Sequence, residues 1–201
     1  MTILSLALLG AVVGAAAGAW LRRRRYLPLP RYPFRWWTVW LSAAASAAVF
    51  GLLGWRSDGT VQMLGVVFAA GAVVAVWTDL DGHRLPDWLT LPLAVALFVV
   101  IIGSGEWGRL ASAAISAVVV WVVLWLMYRF GSLGGGDVKL GLSVGLVLGF
   151  LGPVQVFAGV LTGFLFAAVW AVILLARGRS KDSYLPLGPS LVFGVIACLL
   201  W

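Results

Sequence analysis

The chain has 201 residues, of which 63% are hydrophobic and only 10% charged, with a mean hydropathy of +1.06. A soluble globule of this length would expose far too much apolar surface, so the composition excludes one and points to a polytopic membrane protein. The net charge of +7 then reads as membrane topology and attraction to anionic headgroups, with no role in nucleic-acid binding.

A helix crossing a bilayer needs about 20 mostly apolar residues, fewer where one end is buried in protein. Runs of this kind predict spans near 2–20, 37–54, 61–78, 88–103, 109–128, 138–152, 154–176 and 185–201. The runs are continuous and lack the alternation of a membrane barrel. The expected fold is an all-α polytopic membrane protein, a bundle of about eight transmembrane helices in a single domain over 1–201.

The first span is followed, not preceded, by its positive charges, Arg22 to Arg25. That order opposes a cleaved secretory signal and predicts a retained anchor. Gly14 and Gly18, with alanines between them, offer a small-residue face for close helix packing, unless they merely reflect composition.

Basic residues set the orientation. The short loop 21–36 holds Arg22, Arg23, Arg24, Arg25, Arg31 and Arg35, and the same side collects Arg84, Arg129, Lys139, Arg177, Arg179 and Lys181. Only Arg56 and Arg109 fall opposite. By the positive-inside rule this predicts a multi-pass protein of the cell membrane with cytoplasmic basic loops and both termini outside. Trp36, Trp37, Trp55, Trp77, Trp88 and Trp107 lie near predicted span ends, where an amphipathic ring anchors at headgroup level.

Metal and serine chemistry find little support. Cys198 is the lone cysteine, and the single histidine, His83, has no partners at zinc-ligand spacing and no nucleophile motif beside it. No metal and no cofactor is expected.

Carboxylates remain. Asp79 closes the third span at the head of Thr78-Asp79-Leu80-Asp81-Gly82-His83-Arg84-Leu85-Pro86-Asp87, and Asp137 closes Gly134-Gly135-Gly136 before the sixth. An ionisable group near lipid is a functional candidate by default. Both acids fall at the cytoplasmic end of the bundle. If they meet in a poorly solvated site, both cannot comfortably ionise, so one serves as acid and the other as base. Asp81, followed by Gly82, is expected to turn into water, and Asp87 to cap the start of span four. The bland alternative is that Asp79, Asp81 and Asp87 are ordinary interfacial acids. The glycines at 134, 135 and 136 let a substrate backbone or a neighbouring helix approach Asp137, or form a flexible connector. A phosphate site fits poorly, because the acid repels anions and no Walker pattern is present.

Three blocks now carry a resemblance. Thr78-Asp79 with Leu85-Pro86-Asp87 and Leu91-Pro92, then Gly134 to Leu140, then Tyr184-Leu185-Pro186-Leu187-Gly188-Pro189-Ser190, resemble the type IV prepilin peptidases, the Gly-x-Gly-Asp class of membrane aspartic proteases. Arg31-Tyr32-Pro33 is similar to a further family segment. The resemblance implies removal of short leader peptides from type IV prepilins or pseudopilins at the cytoplasmic membrane face. It matches Asp79 and Asp137 to the catalytic pair, and Asp81 and Asp87 to neither position. Around the pair, Gly134, Gly135, Gly136, Pro86, Asp87, Lys139, Pro186, Gly188 and Pro189 are candidates for shaping the site. Lys139 reads rather as a solvated interfacial lysine, and the last three residues read equally as a helix entry.

Many members of that family also methylate the new N-terminus with S-adenosylmethionine and carry paired cysteines between the first two spans. Here that region is a short arginine-rich loop without cysteine, and the acid expected shortly after Arg31-Tyr32-Pro33 is replaced by Phe34, Arg35, Trp36 and Trp37. The resemblance therefore implies protease activity with methyl transfer in doubt. A small proton-coupled transporter, a presenilin-like intramembrane protease and a catalytically dead assembly factor are the other readings. The transporter lacks an internal inverted repeat and has its acids at one face instead of the midplane.

Overall fold

The computed structural model describes residues 3–22, 37–56, 59–82, 85, 87–131, 133–178 and 187–201. Among them the chain forms eight helices and no strand: α1 (Ile3–Arg22), α2 (Trp37–Arg56), α3 (Gly59–Gly82), α4 (Asp87–Gly103), α5 (Trp107–Arg129), α6 (Gly135–Leu151), α7 (Pro153–Ala176) and α8 (Gly188–Leu200). Helices are the only open-ended way to satisfy every backbone N–H and C=O within lipid. Five of them, α1, α2, α3, α5 and α7, are long and apolar enough to cross a bilayer. The protein is an integral membrane protein of the all-α polytopic class. The loop 23–36, His83, Arg84, Pro86, Arg179, Lys181 and Pro186 lie outside the described residues.

Bundle assembly in lipid cannot rest on expelling water between helices, because the tails are as apolar as leucine; close packing takes over. Gly14 and Gly18 do this for α1 and α2: a β-carbon at Gly18 would stand 2.9 Å from the Val39 backbone, and one at Gly14 would fall on Ser42. Gly10 extends the stripe, since a β-carbon there would stand 2.5 Å from Ser46 O. The same device recurs in α6. Gly141, Gly145 and Gly149, four residues apart, lie against Leu124, Ala117 and Ser116 of α5, and Ser112 Oγ donates to Gly149 O at 2.9 Å. Gly159 and Gly163 of α7 similarly admit Gly194 and Ser190 of α8.

These approaches leave α6 at the centre. Val138, Leu140, Val144, Val147, Leu148 and Phe150 are all buried, whereas the faces of α5 and α7 that carry Val119, Trp125, Phe157 and Trp170 are exposed. Gly152, at φ 139°, turns α6 directly into α7, which opens on Pro153 at a position whose missing N–H costs nothing.

The two ends of the bundle differ. At one, Thr60 Oγ1 donates to Glu106 Oε1 at 3.2 Å, Arg109 pairs with Glu106 at 3.1 Å, and its guanidinium stands 5.2 Å from the Phe150 ring centroid. At the other end the last turn of α3 and the first turns of α4, α6 and α8 come together. Trp55, Trp88 and Trp107 are exposed at helix ends, as interfacial rings should be. Trp88 meets Trp20 edge-on, with centroids 5.2 Å apart.

Candidate active site

Asp79 does not close its helix: α3 runs on to Gly82 and carries Asp81 within its last turn. Asp79 lies a turn inside, only 1% exposed, and the side chain of Asp81, expected to face water, lies outside what is described. Thr78 beside it directs its hydroxyl back to Val74 O at 2.9 Å and Ala75 O at 3.0 Å, so it is spent on its own helix.

Asp137 is the third residue of α6 and 2% exposed. Gly134 is the N-cap, in extended conformation at φ −82° and ψ 143°, and the Asp137 N–H donates to Gly134 O at 3.2 Å. The Asp137 carboxylate in turn accepts from the Gly134 N–H. This is one half of a capping box: the acid at the third helical position satisfies a donor the helix cannot, while the glycine N-cap has no side chain to return the bond. The glycine run therefore ends in an ordered helix start that aims Asp137 inward.

The two acids lie within electrostatic reach of each other, and a third element joins them: the N–H of Gly188, the first residue of α8, donates to both carboxylates. A first-turn N–H has no intrahelical partner and stands at the positive end of the helix dipole, so α8 is aimed as a fixed positive pole at the pair. Pro189 follows at the second position of α8, where it has no N–H to leave unpaired. Asp79 Oδ2 and Asp137 Oδ1 have no hydrogen-bond partner among the described residues. Each acid thus keeps one oxygen uncommitted.

The glycines divide by role. A β-carbon at Gly188 would stand 2.9 Å from Asp79 Oδ2, and one at Gly136 would stand 2.6 Å from Leu85 Cβ and 3.0 Å from its backbone N. Gly135 is exposed and meets only the Tyr128 ring, at 3.6 Å. Of the three glycines before the acid, Gly136 is the one that answers a close approach.

Lys139 reaches across to Asp87 at 2.5 Å, joining the start of α6 to the start of α4. The expected solvated lysine is thereby engaged, although both side chains remain substantially exposed. The Asp87 carboxylate, expected as a helix cap, stands at the first residue of α4 and faces Lys139. Leu85, one of the quoted block residues but not a site candidate on sequence, is 6% exposed. An apolar residue between charged neighbours and a proline was the available signal.

No group of three or more His, Cys, Asp or Glu side chains that could hold a metal occurs among the described residues. A cavity of about 400 Å³ between α2, α3 and α8, walled by Leu41, Ala45, Val49, Ala72, Val76 and Val192, contains neither acid.

Residues 66–176 match the type IV leader peptidase family, a stretch that includes both Asp79 and Asp137. The chain is similar to the prepilin leader peptidase/N-methyltransferase of Legionella pneumophila, 30% identical over 183 residues, covering 85% of this chain and 59% of that protein. It resembles the protein of the same name from Xanthomonas campestris at 28% identity over 91% of this chain and 65% of that one. With the Aeromonas hydrophila protein it shares 33% identity over 90% of this chain and 63% of the other. The chain thus spans roughly three-fifths of the length of these curated relatives. No solved structure gives a significant match. The family match alone covers more than half of the 201 residues, and the chain belongs to the type IV leader peptidase family.

Proposed function

We propose that the protein is an aspartic endopeptidase that removes the short leader peptide from type IV prepilins or prepilin-like subunits, with Asp79 and Asp137 as the catalytic pair. The observation that carries this reading is the convergence of two buried carboxylates from α3 and α6 on the single N–H of Gly188, each with one oxygen uncommitted.

The chemistry needs no cofactor. One carboxylate is ionised and takes a proton from water as the water oxygen attacks the scissile carbonyl carbon. The other donates its proton to the carbonyl oxygen, giving a neutral tetrahedral diol. Collapse of the diol breaks the C–N bond, with a proton delivered to the leaving amine and another returned to the pair. Because the carboxylates are coupled, the acid and base roles belong to the pair and not to either residue. The Gly188 N–H and the α8 dipole stabilise the one negative charge the pair carries in the resting state.

The distribution of basic residues supports an orientation with both termini outside and the catalytic loops cytoplasmic. The short 21–36 loop without cysteine supports a peptidase that does not methylate its product, although the relatives' names include that second activity. A proton-coupled transporter would also use buried acids, but the family match favours hydrolysis. The deciding experiment is cleavage of a purified prepilin by the purified protein in lipid, followed by mass spectrometry of both fragments. An intact prepilin after prolonged incubation with folded protein would refute the proposal.

A further inference from the structure

Leu85 packs against the glycine that precedes Asp137. Its backbone and β-carbon lie on Gly136, the residue before Asp137, where a β-carbon would stand 2.6 Å from Leu85 Cβ and 3.1 Å from Leu85 O. Its Cδ1 stands 3.4 Å from the β-carbon position of Gly188, the residue whose N–H serves both acids. Leu85 is also six residues beyond Asp79 and two before Asp87, which pairs with Lys139 two residues beyond Asp137. A nearly buried leucine therefore stands between the first turns of α6 and α8, and the ion pair closes the same junction from outside.

We propose that Leu85 is a positioning residue for the carboxylate pair, a wedge that sets the spacing of the α6 and α8 helix starts, with Asp87–Lys139 as the clamp that keeps it seated. This rests on the reading of Asp79 and Asp137 as the catalytic pair. The physical basis is that positions 136 and 188 are glycines, so Leu85 packs where their side chains would otherwise stand. Removing most of the leucine side chain leaves the two backbones free to shift. Displacement of reacting groups by about 1 Å costs up to about 100-fold in rate. Methionine fills a similar volume and adapts its shape, so it should hold the gap where alanine does not.

The test uses the purified full chain in lipid nanodiscs and a prepilin substrate, with kcat, KM, helix content and melting temperature measured for each variant. Leu85→Ala should lower kcat about 10- to 100-fold while KM stays within about threefold. Leu85→Met should return kcat to within about threefold of the parent. Asp87→Lys and Lys139→Asp should each lower kcat, and the charge-exchanged double variant should recover most of it. A Leu85→Ala protein with kcat within about twofold of the parent overturns the wedge, as does a folded Leu85→Met variant no better than alanine. A double variant no better than the singles overturns the clamp. Should Leu85→Ala fail to fold, the methionine and charge-exchange variants still decide. Failure of the underlying reading looks different: the parent protein does not cleave, or Asp79→Asn still does.

Discussion

Gly188 and Asp79 are in contact to the limit of what the backbone allows, since a β-carbon on the glycine would stand 2.9 Å from the acid's Oδ2. The contact joins the first residue of α8 to a carboxylate more than a hundred positions earlier in the chain, and the same glycine N–H also serves Asp137.

Substitution at the glycines should separate close approach from mere flexibility. Gly188→Ala forces Asp79 or the start of α8 to move, and Gly136→Ala forces Leu85 away. Each should cut kcat by about tenfold or more, because both displace the pair itself. Gly135→Ala should stay within about threefold of the parent, since its β-carbon meets only a ring edge at ordinary contact distance. Equal loss at Gly135 and Gly136 would mean that the run acts as a flexible connector.

Asp79→Asn and Asp137→Asn should each abolish cleavage while insertion and helix content remain intact, because an amide supplies neither the base nor the exchangeable acid proton. Asp81→Asn should retain most activity. Substantial cleavage by either of the first two, with contaminating protease excluded, removes the pair from the mechanism.

Orientation is open to thiol labelling in intact cells. In a Cys198→Ser background, a cysteine replacing Arg177 should be shielded from an impermeant reagent, whereas one replacing Asp58 should react. The opposite pattern would put the acid-bearing end of the bundle outside.

Incubation with a cleavable prepilin and S-adenosylmethionine should give a trimmed product with no added methyl mass. An N-methylated terminus formed by the purified protein alone would show that the arginine-rich loop is sufficient for methyl transfer.

Gly145→Leu should destabilise the bundle by about 1–3 kcal/mol or prevent insertion, the cost of overpacking a close contact. A β-carbon at 145 already falls on the Ala117 backbone of α5. Unchanged thermal stability would show that the α5–α6 contact is looser than it stands here.

Much of this architecture was legible in the amino-acid sequence. All eight described helices coincide with apolar runs, because lipid imposes length and composition on each segment independently of its neighbours. Asp79 and Asp137 stood out for the same reason, as carboxylates beside lipid that must have a use or a partner. Gly14 and Gly18 were readable as a packing face, but the longer stripe at Gly141, Gly145 and Gly149 was not separated from the chain's general richness in glycine.

Tertiary structure alone decided the rest. That Lys139 faces Asp87, that Leu85 stands between Gly136 and Gly188, and that one N–H of α8 serves both acids are contacts between residues 51 to 109 positions apart. Sequence records what each segment must be to survive in lipid, a local requirement. Which helix starts meet is set by how eight rods pack through their small-residue faces, and that depends on all of them at once.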